Sequence, residues 1–259
     1  MSIPKIIHYC WFGSKDIPEH EKTYINGWKK MLPEYELMFW NEQTFDIDNA
    51  IPYVKQAYES KKYAFVSDYV RMYALQKYGG IYFDTDVEIV KKIDDFLQNQ
   101  FFIGFENKTM LGTGIIGSEP KVWVMNEMLE YYSKHNFLDS KGLPDTTTNV
   151  QILVGVLEKH GFIKVNQEQF IDGLHIYERD FFNPKKMDED GNFAVTDRTV
   201  TIHHMDGSWL TEREKRRGTN KLWRNVCRPV LKRIRLALNH LIGENNAKWF
   251  EIKFRHLIR

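Results

Sequence analysis

Apolar residues recur along this chain in two periods that follow one another in order. Short apolar runs of strand length lie at residues 6–12, 35–41 and 81–86, and segments of helical period separate them. Helices are predicted at 18–31, 49–60, 63–78, 121–135 and 148–160, and further strands at 101–106, 115–118 and 198–204. Strands that alternate with helices predict an α/β domain with a mostly parallel central sheet between helix layers.

The composition narrows the class of protein without naming a function. Of 259 residues, 42% are hydrophobic and 27% are charged, which excludes a disordered chain, a collagen and a polytopic membrane protein. The two cysteines, Cys10 and Cys227, are too far apart in sequence to suggest a disulfide framework or a zinc cluster. The first residues lack the basic and apolar regions of a secretion signal. A reducing, cytoplasmic location is therefore expected.

Charge is divided unevenly between the two ends of the chain. Residues 1–211 carry 22 basic and 31 acidic side chains, a net charge of −9, whereas residues 212–259 carry 14 and 4, a net charge of +10. This asymmetry predicts a catalytic or binding domain at 1–211 and a basic helical extension at 212–259, whose partner is an anionic surface.

The candidate chemistry begins where an apolar run ends in Asp84-Thr85-Asp86. If the backbone stays extended, Asp84 and Asp86 share one face of the strand, and two close carboxylates favour a cation between them. Ligands of open α/β sheets bind at the carboxyl ends of the strands. A divalent cation that bridges the protein to a phosphorylated ligand is one interpretation. A solvated turn is the other, because aspartate is common in turns.

Two further groups of polar residues add to this interpretation. Asp68 and Arg71 share a face of the preceding helix, where they form either a surface ion pair or a site for sugar hydroxyls and phosphate. His203 and His204 end the late strand, and one imidazole beside Asp86 would complete a metal site. A nitrogen ligand would favour Mn²⁺ over Mg²⁺.

These segments resemble the DxD-containing glycosyltransferases of family 32. The opening run 3–13 and the segment 35–41 resemble the first two strands of that family, and residues 67–86 resemble its "SDxxRxxxLxxxGGxYxDxD" signature. The same stretch is similar to the glucosyltransferase domains of clostridial toxins. The resemblance implies a GT-A fold, a nucleotide-sugar donor, a divalent metal and retention of anomeric configuration. It is poor between residues 121 and 197, so the acceptor site is not predicted.

The resemblance also implies roles for individual residues. Asp84 would contact ribose and sugar, Asp86 would ligate Mn²⁺ or Mg²⁺, with Asp84 as a further ligand, and Asp68 with Arg71 would bind the transferred sugar. His204, which begins a His-x-x-Gly segment, is preferred to His203 as the third ligand. The remaining donor-binding positions are Ile7, His8, Trp11, Thr85, Ser208 and Trp209.

The resulting expectation is a retaining hexosyltransferase of bacterial capsule or exopolysaccharide synthesis. The preferred donor is a UDP-sugar, with GDP-mannose second, and the acceptor is a saccharide, expected to be lipid-linked. No carboxylate can be assigned as a nucleophile, so we expect front-face attack by the acceptor hydroxyl, with the departing phosphate accepting the hydroxyl proton. One alternative is a haloacid-dehalogenase-type phosphatase that uses Asp84 and Asp86. Another is a non-catalytic carbohydrate-binding protein.

The basic extension carries an apolar stripe of helical period. The stripe consists of Cys227, Leu231, Ile234, Leu238 and Leu241, with basic residues between them. Such a helix suits the headgroup plane of an anionic membrane, and the predicted location is the inner face of the cell membrane. Packing on the domain or on a second copy is the alternative. Nucleic acid is not expected as a partner, because the domain at 1–211 is acidic.

Overall fold

The computed structural model describes residues 2–187 and 192–207, together with 229–231, 233, 234 and 237. It divides into two units, Met1–Met205 and Asp206–Arg259. The domain boundary predicted at residue 212 lies outside the described residues and stays a prediction. No helix in the described part of the chain is long and apolar enough to cross a membrane.

Two sheets are present among the described residues of the first unit. Seven strands form the central sheet in the order β2-β1-β3-β6-β5-β8-β7, and β4 pairs with β9 in a separate two-stranded sheet. The strands are β1 (Ile6–Cys10), β2 (Glu36–Trp40), β3 (Gly80–Phe83), β4 (Val87–Ile89), β5 (Phe101–Phe105), β6 (Leu111–Ser118), β7 (Gln169–Ile171), β8 (Leu174–Tyr177) and β9 (Thr201–His203).

The direction of the strands sets where a ligand can bind. β1 is parallel to β2 and β3, β6 is antiparallel to both β3 and β5, and β8 is parallel to β5. Five strands, β1, β2, β3, β5 and β8, therefore run in one direction and end at the same edge of the sheet. This confirms the predicted α/β class and its mostly parallel sheet.

The helices cover the two faces of the central sheet. They are α1 (Glu19–Met31), α2 (Pro52–Glu59), α3 (Tyr63–Tyr78), α4 (Trp123–Lys134), α5 (Asn149–Glu158) and α6 (Arg179–Phe182). Alternate strand residues enter two separate cores: Tyr82 packs in the core that contains residues of α2 to α5, whereas Ile81 and Phe83 pack in the core that contains residues of α1 and α6.

Helix α3 matches its predicted span, and its end explains why it is followed so closely by β3. Gly79 and Gly80 have φ angles of 65° and 102°, which glycine adopts without strain. A Cβ on Gly80 would lie 2.7 Å from the carbonyl oxygen of Ile6, so glycine also allows β3 to approach β1. The turn thus carries the chain from α3 directly into the strand that ends at the aspartates.

Candidate active site

The aspartate pair lies in a turn at the carboxyl end of β3. The strand ends at Phe83, and the backbone N–H of Val87 donates to the carbonyl oxygen of Asp84 at 3.1 Å. The expectation that the strand continues to Asp86 is therefore wrong. The two carboxylates converge because the chain turns between β3 and β4, and not because they alternate along extended backbone.

The third member of this cluster is His203, at the end of β9. Antiparallel pairing places His203 opposite Val87, next to the turn. Its Nε2 lies 3.2 Å from Oδ1 of Asp86 and 3.8 Å from Oδ2 of Asp84. One ligand atom from each of Asp84, Asp86 and His203 lies within 4.8 Å of the others. Nearly 120 residues of sequence separate the two ends of this cluster.

His204 points elsewhere, contrary to its expected role as a metal ligand. Its Nε2 lies 2.8 Å from Oε2 of Glu88, and its ring stacks on Tyr24 with centroids 4.8 Å apart. Its backbone N–H donates to the carbonyl oxygen of Asp86 at 3.0 Å. Successive side chains of an extended strand point in opposite directions, so only one of the two histidines can face the aspartates. The structure places His203 there, so His203 is the candidate ligand.

The donor set fits a divalent cation of the Mn²⁺ or Mg²⁺ type, since it offers two carboxylates and one imidazole. Burial alone would lower the pKa of His203, but its hydrogen bond to Asp86 and the charges of Asp86, Asp84 and Glu106 raise it. The surrounding carboxylates therefore favour positive charge at this point. The other ring nitrogen of His203, Nδ1, is buried and has no hydrogen-bond partner among the described residues.

Gly114 of β6 makes room for the cluster. A Cβ at this position would lie 2.7 Å from Cε1 of His203 and 3.0 Å from Oδ2 of Asp84. Real Cβ atoms essentially never show contacts below 3.0 Å. The absence of a side chain on Gly114 is thus what allows the imidazole and the carboxylate to meet above the strand.

Arg71 fixes Asp84 from the opposite side. One guanidinium nitrogen donates to Oδ1 of Asp84 at 2.9 Å, and the other donates to the carbonyl oxygen of Thr113 at 2.5 Å. The Tyr82 hydroxyl donates to the same Asp84 oxygen at 3.0 Å, and its ring lies under the guanidinium at 4.3 Å. These bonds engage Oδ1 and leave Oδ2 directed towards His203. Asp68 is a longer-range partner of Arg71, at 3.6 Å.

Asp68 lies beside the first residue of α5. Burial raises the pKa of Asp68 to about 6, although the charge of Arg71 and a hydrogen bond from the backbone N–H of Asn149 oppose this shift. The Asn149 side chain accepts from the Thr113 hydroxyl at 3.2 Å, and its Nδ2 is buried with no partner in the described part of the chain. Thr148 and Gln151 form a capping box that fixes this helix start. Asn149 was not predicted from the sequence, although the Thr-x-x-Gln pattern marks the helix start.

The expected donor-binding positions differ in exposure. Ile7 and His8 are fully buried in the core and Thr85 is also buried, so a donor would reach them through the backbone, and their contacts with it stay predictions. Trp11, just beyond β1, is partly exposed and stays a candidate. Ser208 and Trp209 lie outside the described residues, so their predicted contacts with the donor stay predictions.

The aspartate pair lies at the edge of the mixed sheet where its parallel strands end, which is where open α/β sheets bind ligands. Residues 18–102 match a family model described as "Glycosyltransferase sugar-binding region containing DXD motif". This match confirms the resemblance to DxD-containing glycosyltransferases, while the assignment to family 32 stays a prediction.

Two relatives extend the comparison beyond the motif. The chain is 27% identical to "Uncharacterized glycosyltransferase L373" of Acanthamoeba polyphaga mimivirus, over 71% of this chain and 76% of that protein. It is 29% identical to "Mannosyl phosphorylinositol ceramide synthase SUR1" of Saccharomyces cerevisiae, over 52% of this chain. The matched region spans only 37% of that yeast protein.

A solved structure, "PaToxG Glycosyltransferase", has the same fold over 61% of this chain and 69% of its own, with a TM-score of 0.51 and 20% identity. This likeness supports the GT-A fold that the sequence predicted. The chain thus carries a region that matches glycosyltransferases with a DxD motif, and beside it a cluster suited to a divalent metal.

Proposed function

We propose that the protein is a metal-dependent, retaining hexosyltransferase that moves a sugar from a nucleotide-sugar donor to a hydroxyl group of a saccharide acceptor. The observation that carries this proposal is the convergence of Asp84, Asp86 and His203 at the carboxyl edge of the sheet. Retention is carried over from the family resemblance. The match of residues 18–102 to a glycosyltransferase region supports this function over the phosphatase alternative.

Each part of the site has a distinct task in this proposal. Asp86, His203 and Oδ2 of Asp84 would hold a divalent cation, which would supply Lewis-acid stabilisation of the departing diphosphate. Arg71 fixes the orientation of Asp84 through a buried ion pair at 2.9 Å. Asp68 accepts hydrogen bonds from hydroxyls of the transferred sugar, and the unpartnered Nδ2 of Asn149 donates one. Asp68 lies on α3, next to Asn149, the first residue of α5.

The names of the relatives bear on the donor and the acceptor. The yeast proteins are named as mannosyl transferases of inositol phosphoceramide lipids, which supports a lipid-linked acceptor and makes GDP-mannose a donor to test beside the UDP-hexoses. Because the chain spans about a third of those proteins, we keep both donor classes in the proposal. A role in bacterial capsule or exopolysaccharide synthesis also stays part of it.

The experiment is a screen for metal-dependent hydrolysis of UDP-glucose, UDP-galactose, UDP-N-acetylglucosamine and GDP-mannose. Purified protein is incubated with each donor and Mn²⁺, Mg²⁺ or a chelator, and the free nucleoside diphosphate is measured. We expect one donor class to be hydrolysed slowly, only with the metal, and the released sugar to keep its anomeric configuration. If no donor is hydrolysed or bound with either metal, the proposed function is wrong.

The basic extension is proposed to hold the enzyme at an anionic membrane, on the inner face of the cell membrane. Two residues of its predicted apolar stripe, Leu231 and Ile234, are helical and about half exposed, at 46% and 50%. Exposed apolar residues among cations suit an interfacial helix. A homodimer through this segment is the alternative that the next experiment distinguishes.

Full-length protein is sedimented with phosphatidylglycerol vesicles and with phosphatidylcholine vesicles, at low and high salt. We expect binding to the anionic vesicles only, weakened by salt because the attraction is screened. The paired substitution Leu231→Gln and Ile234→Gln should reduce binding. Lys15→Gln, an exposed lysine of the first unit, should not change it. Absence of binding at low salt, with a dimer in solution, would favour the alternative.

A further inference from the structure

A further carboxylate, that of Glu106, lies at this edge of the sheet. The sequence predicted no acceptor-binding residue, so its role is open. Glu106 directly follows β5, and β5 runs parallel to β3, so Glu106 and Asp84 leave the sheet at the same edge. Only β6 lies between their two strands. Ligands of open α/β sheets bind along this edge, outside the carboxyl ends of the strands.

Two glycines of β6 show how close Glu106 and Asp84 are. A Cβ on Gly114 would lie 3.0 Å from Oδ2 of Asp84, and a Cβ on Gly112 would lie 3.1 Å from Cβ of Glu106. The register of β5 against β6 shifts in this stretch, between Ile103 and Gly104. The Asp84 carboxylate and the base of the Glu106 side chain therefore both lie against one short, irregular stretch of β6 that begins at Gly112 and ends at Gly114.

The surroundings of Glu106 differ from those of Asp84. Asp84 is held by Arg71 and Tyr82, whereas Glu106 has electrostatic interactions with His203, Asp84 and Arg179. A carboxylate that follows the next parallel strand of the sheet, beside the cation cluster, is placed where a base for an attacking hydroxyl is needed.

Asn183, which follows α6, packs beside the same part of β6. Its Nδ2 donates to the carbonyl oxygen of Phe105 at 3.1 Å and would contact a Cβ on Gly112 at 2.8 Å. Its Oδ1 is buried and has no hydrogen-bond partner among the described residues. Asn183 thus fixes the end of β5, directly before Glu106.

We propose that Glu106 is the base that receives the proton of the attacking acceptor hydroxyl, at an acceptor subsite beside the end of β5 that the buried Asn183 holds in place. The inference rests on the proposed function. In the transfer, the acceptor oxygen forms a bond to the anomeric carbon on the face from which the diphosphate departs, which retains the configuration. The bond from that carbon to the diphosphate oxygen breaks with its electron pair on the diphosphate. The hydroxyl proton moves to a Glu106 oxygen, and not to the diphosphate as the sequence led us to expect. The ligand class of the subsite is a saccharide or another polyol.

The test uses water as the acceptor, because donor hydrolysis needs no knowledge of the natural acceptor. Wild-type protein and Glu106→Gln are compared for kcat of hydrolysis of the donor found in the screen. Titration calorimetry measures the affinity for the nucleoside diphosphate, and paramagnetic resonance measures the affinity for Mn²⁺. We expect kcat to fall about 100-fold while both affinities stay within about twofold, since a general base contributes to the reaction and not to donor binding.

Two further variants make the comparison specific. Glu178→Gln changes a carboxylate at the end of β8, on the same sheet edge, which pairs with Arg198 at 2.6 Å, and it should hydrolyse the donor as wild type does. Glu106→Asp keeps the charge and should recover part of the lost kcat. Thermal unfolding of every variant shows whether a loss of kcat comes from loss of the fold.

Three outcomes would overturn the inference. An unchanged kcat in Glu106→Gln would show that Glu106 is not the base. A parallel loss of affinity for the nucleotide or for Mn²⁺ would show that Glu106 contributes to donor binding instead. A hexose adduct on Glu106, found by mass spectrometry of the enzyme incubated with donor, would make it a nucleophile instead. If wild-type protein neither binds nor hydrolyses any donor, the proposed function itself fails, which is a separate result.

Discussion

His8 and His203 are two largely buried histidines of the same unit, and the structure changes their charge in opposite directions. Burial lowers the pKa of His8 to about 4, and the bond from its Nε2–H to the carbonyl oxygen of Gly79 offsets this only in part. Its Nδ1 accepts from the indole of Trp40 at 3.1 Å. His203 is buried among carboxylates instead, and its pKa is raised.

The difference separates a region that maintains the fold from one that performs chemistry. His8 is neutral and satisfied at both nitrogens, so it joins β1, β2 and the turn after α3 without attracting a ligand. His203 has one nitrogen at the aspartates and one without a partner among the described residues, in an environment that favours a cation. Substitutions in the two regions should therefore affect different measurements.

The largest expected effect on activity is at Asp86. Asp86→Asn keeps the shape of the side chain but removes a charge from the cation site, and we expect Mn²⁺-dependent donor hydrolysis to fall more than about 100-fold. Thermal unfolding should shift little. Near-normal turnover in this variant would show that Asp86 is not a metal ligand.

The next prediction compares His203, the last residue of β9, with His204, which follows it. His203→Ala should raise the Mn²⁺ concentration needed for half-maximal activity by about 10- to 100-fold, as loss of metal-site groups does. His204→Ala removes the contact with Glu88 but no ligand, so its effect should be smaller. The opposite order would restore His204 as the ligand that the sequence favoured.

A smaller loss is expected from filling the space above β6. Gly114→Ala places a methyl group within 3.0 Å of both His203 and Asp84, so we expect Mn²⁺ affinity to fall about tenfold because the ligands are displaced. Gly155→Ala is the matched control, since a Cβ there would meet nothing within 4 Å. Equal Mn²⁺ affinities in the two variants would contradict this account of the cluster.

The smallest effect on activity, and a clear effect on stability, is expected at His8. Its folded pKa lies below its unfolded value, so its contribution is complete above about pH 6.5 and is lost as the pH falls towards 4. The full difference is on the order of 3 kcal/mol. Urea unfolding should show that His8→Gln is less stable than wild type at pH 7, with a gap that closes at low pH. A gap independent of pH would contradict the lowered pKa.

The sequence predicted the elements whose apolar pattern is long or is ended by glycine or proline. Helix α3 was predicted with its observed bounds, because its apolar period is sustained and the Gly-Gly pair ends it. The hairpin of β7 and β8 was missed, although Asp172-Gly173 between the two short strands, with φ angles of 45° and 85°, is a typical hairpin signal. Three- and four-residue strands carry too little periodicity to be separated from loops.

The site was predicted as far as local sequence can define it. Asp68, Arg71, Asp84 and Asp86 fall within one continuous motif, whereas choosing between His203 and His204 depends on the register of β9 against β4, which only the folded chain sets. Glu106 and Asn149 carry no local pattern of their own. Their proximity to the motif comes from strand order and from the position of α5.

The pairing of β4 with β9 has a consequence for the order of events during synthesis. Glu88 and His204 are 116 positions apart, yet they are in contact, so the cation cluster closes only after the chain has returned through β5 to β8. A nascent chain that has emerged from the ribosome only as far as the DxD turn has two of the three ligands and no closed site. Metal capture should therefore report completion of the first unit, and donor turnover should begin only at that stage.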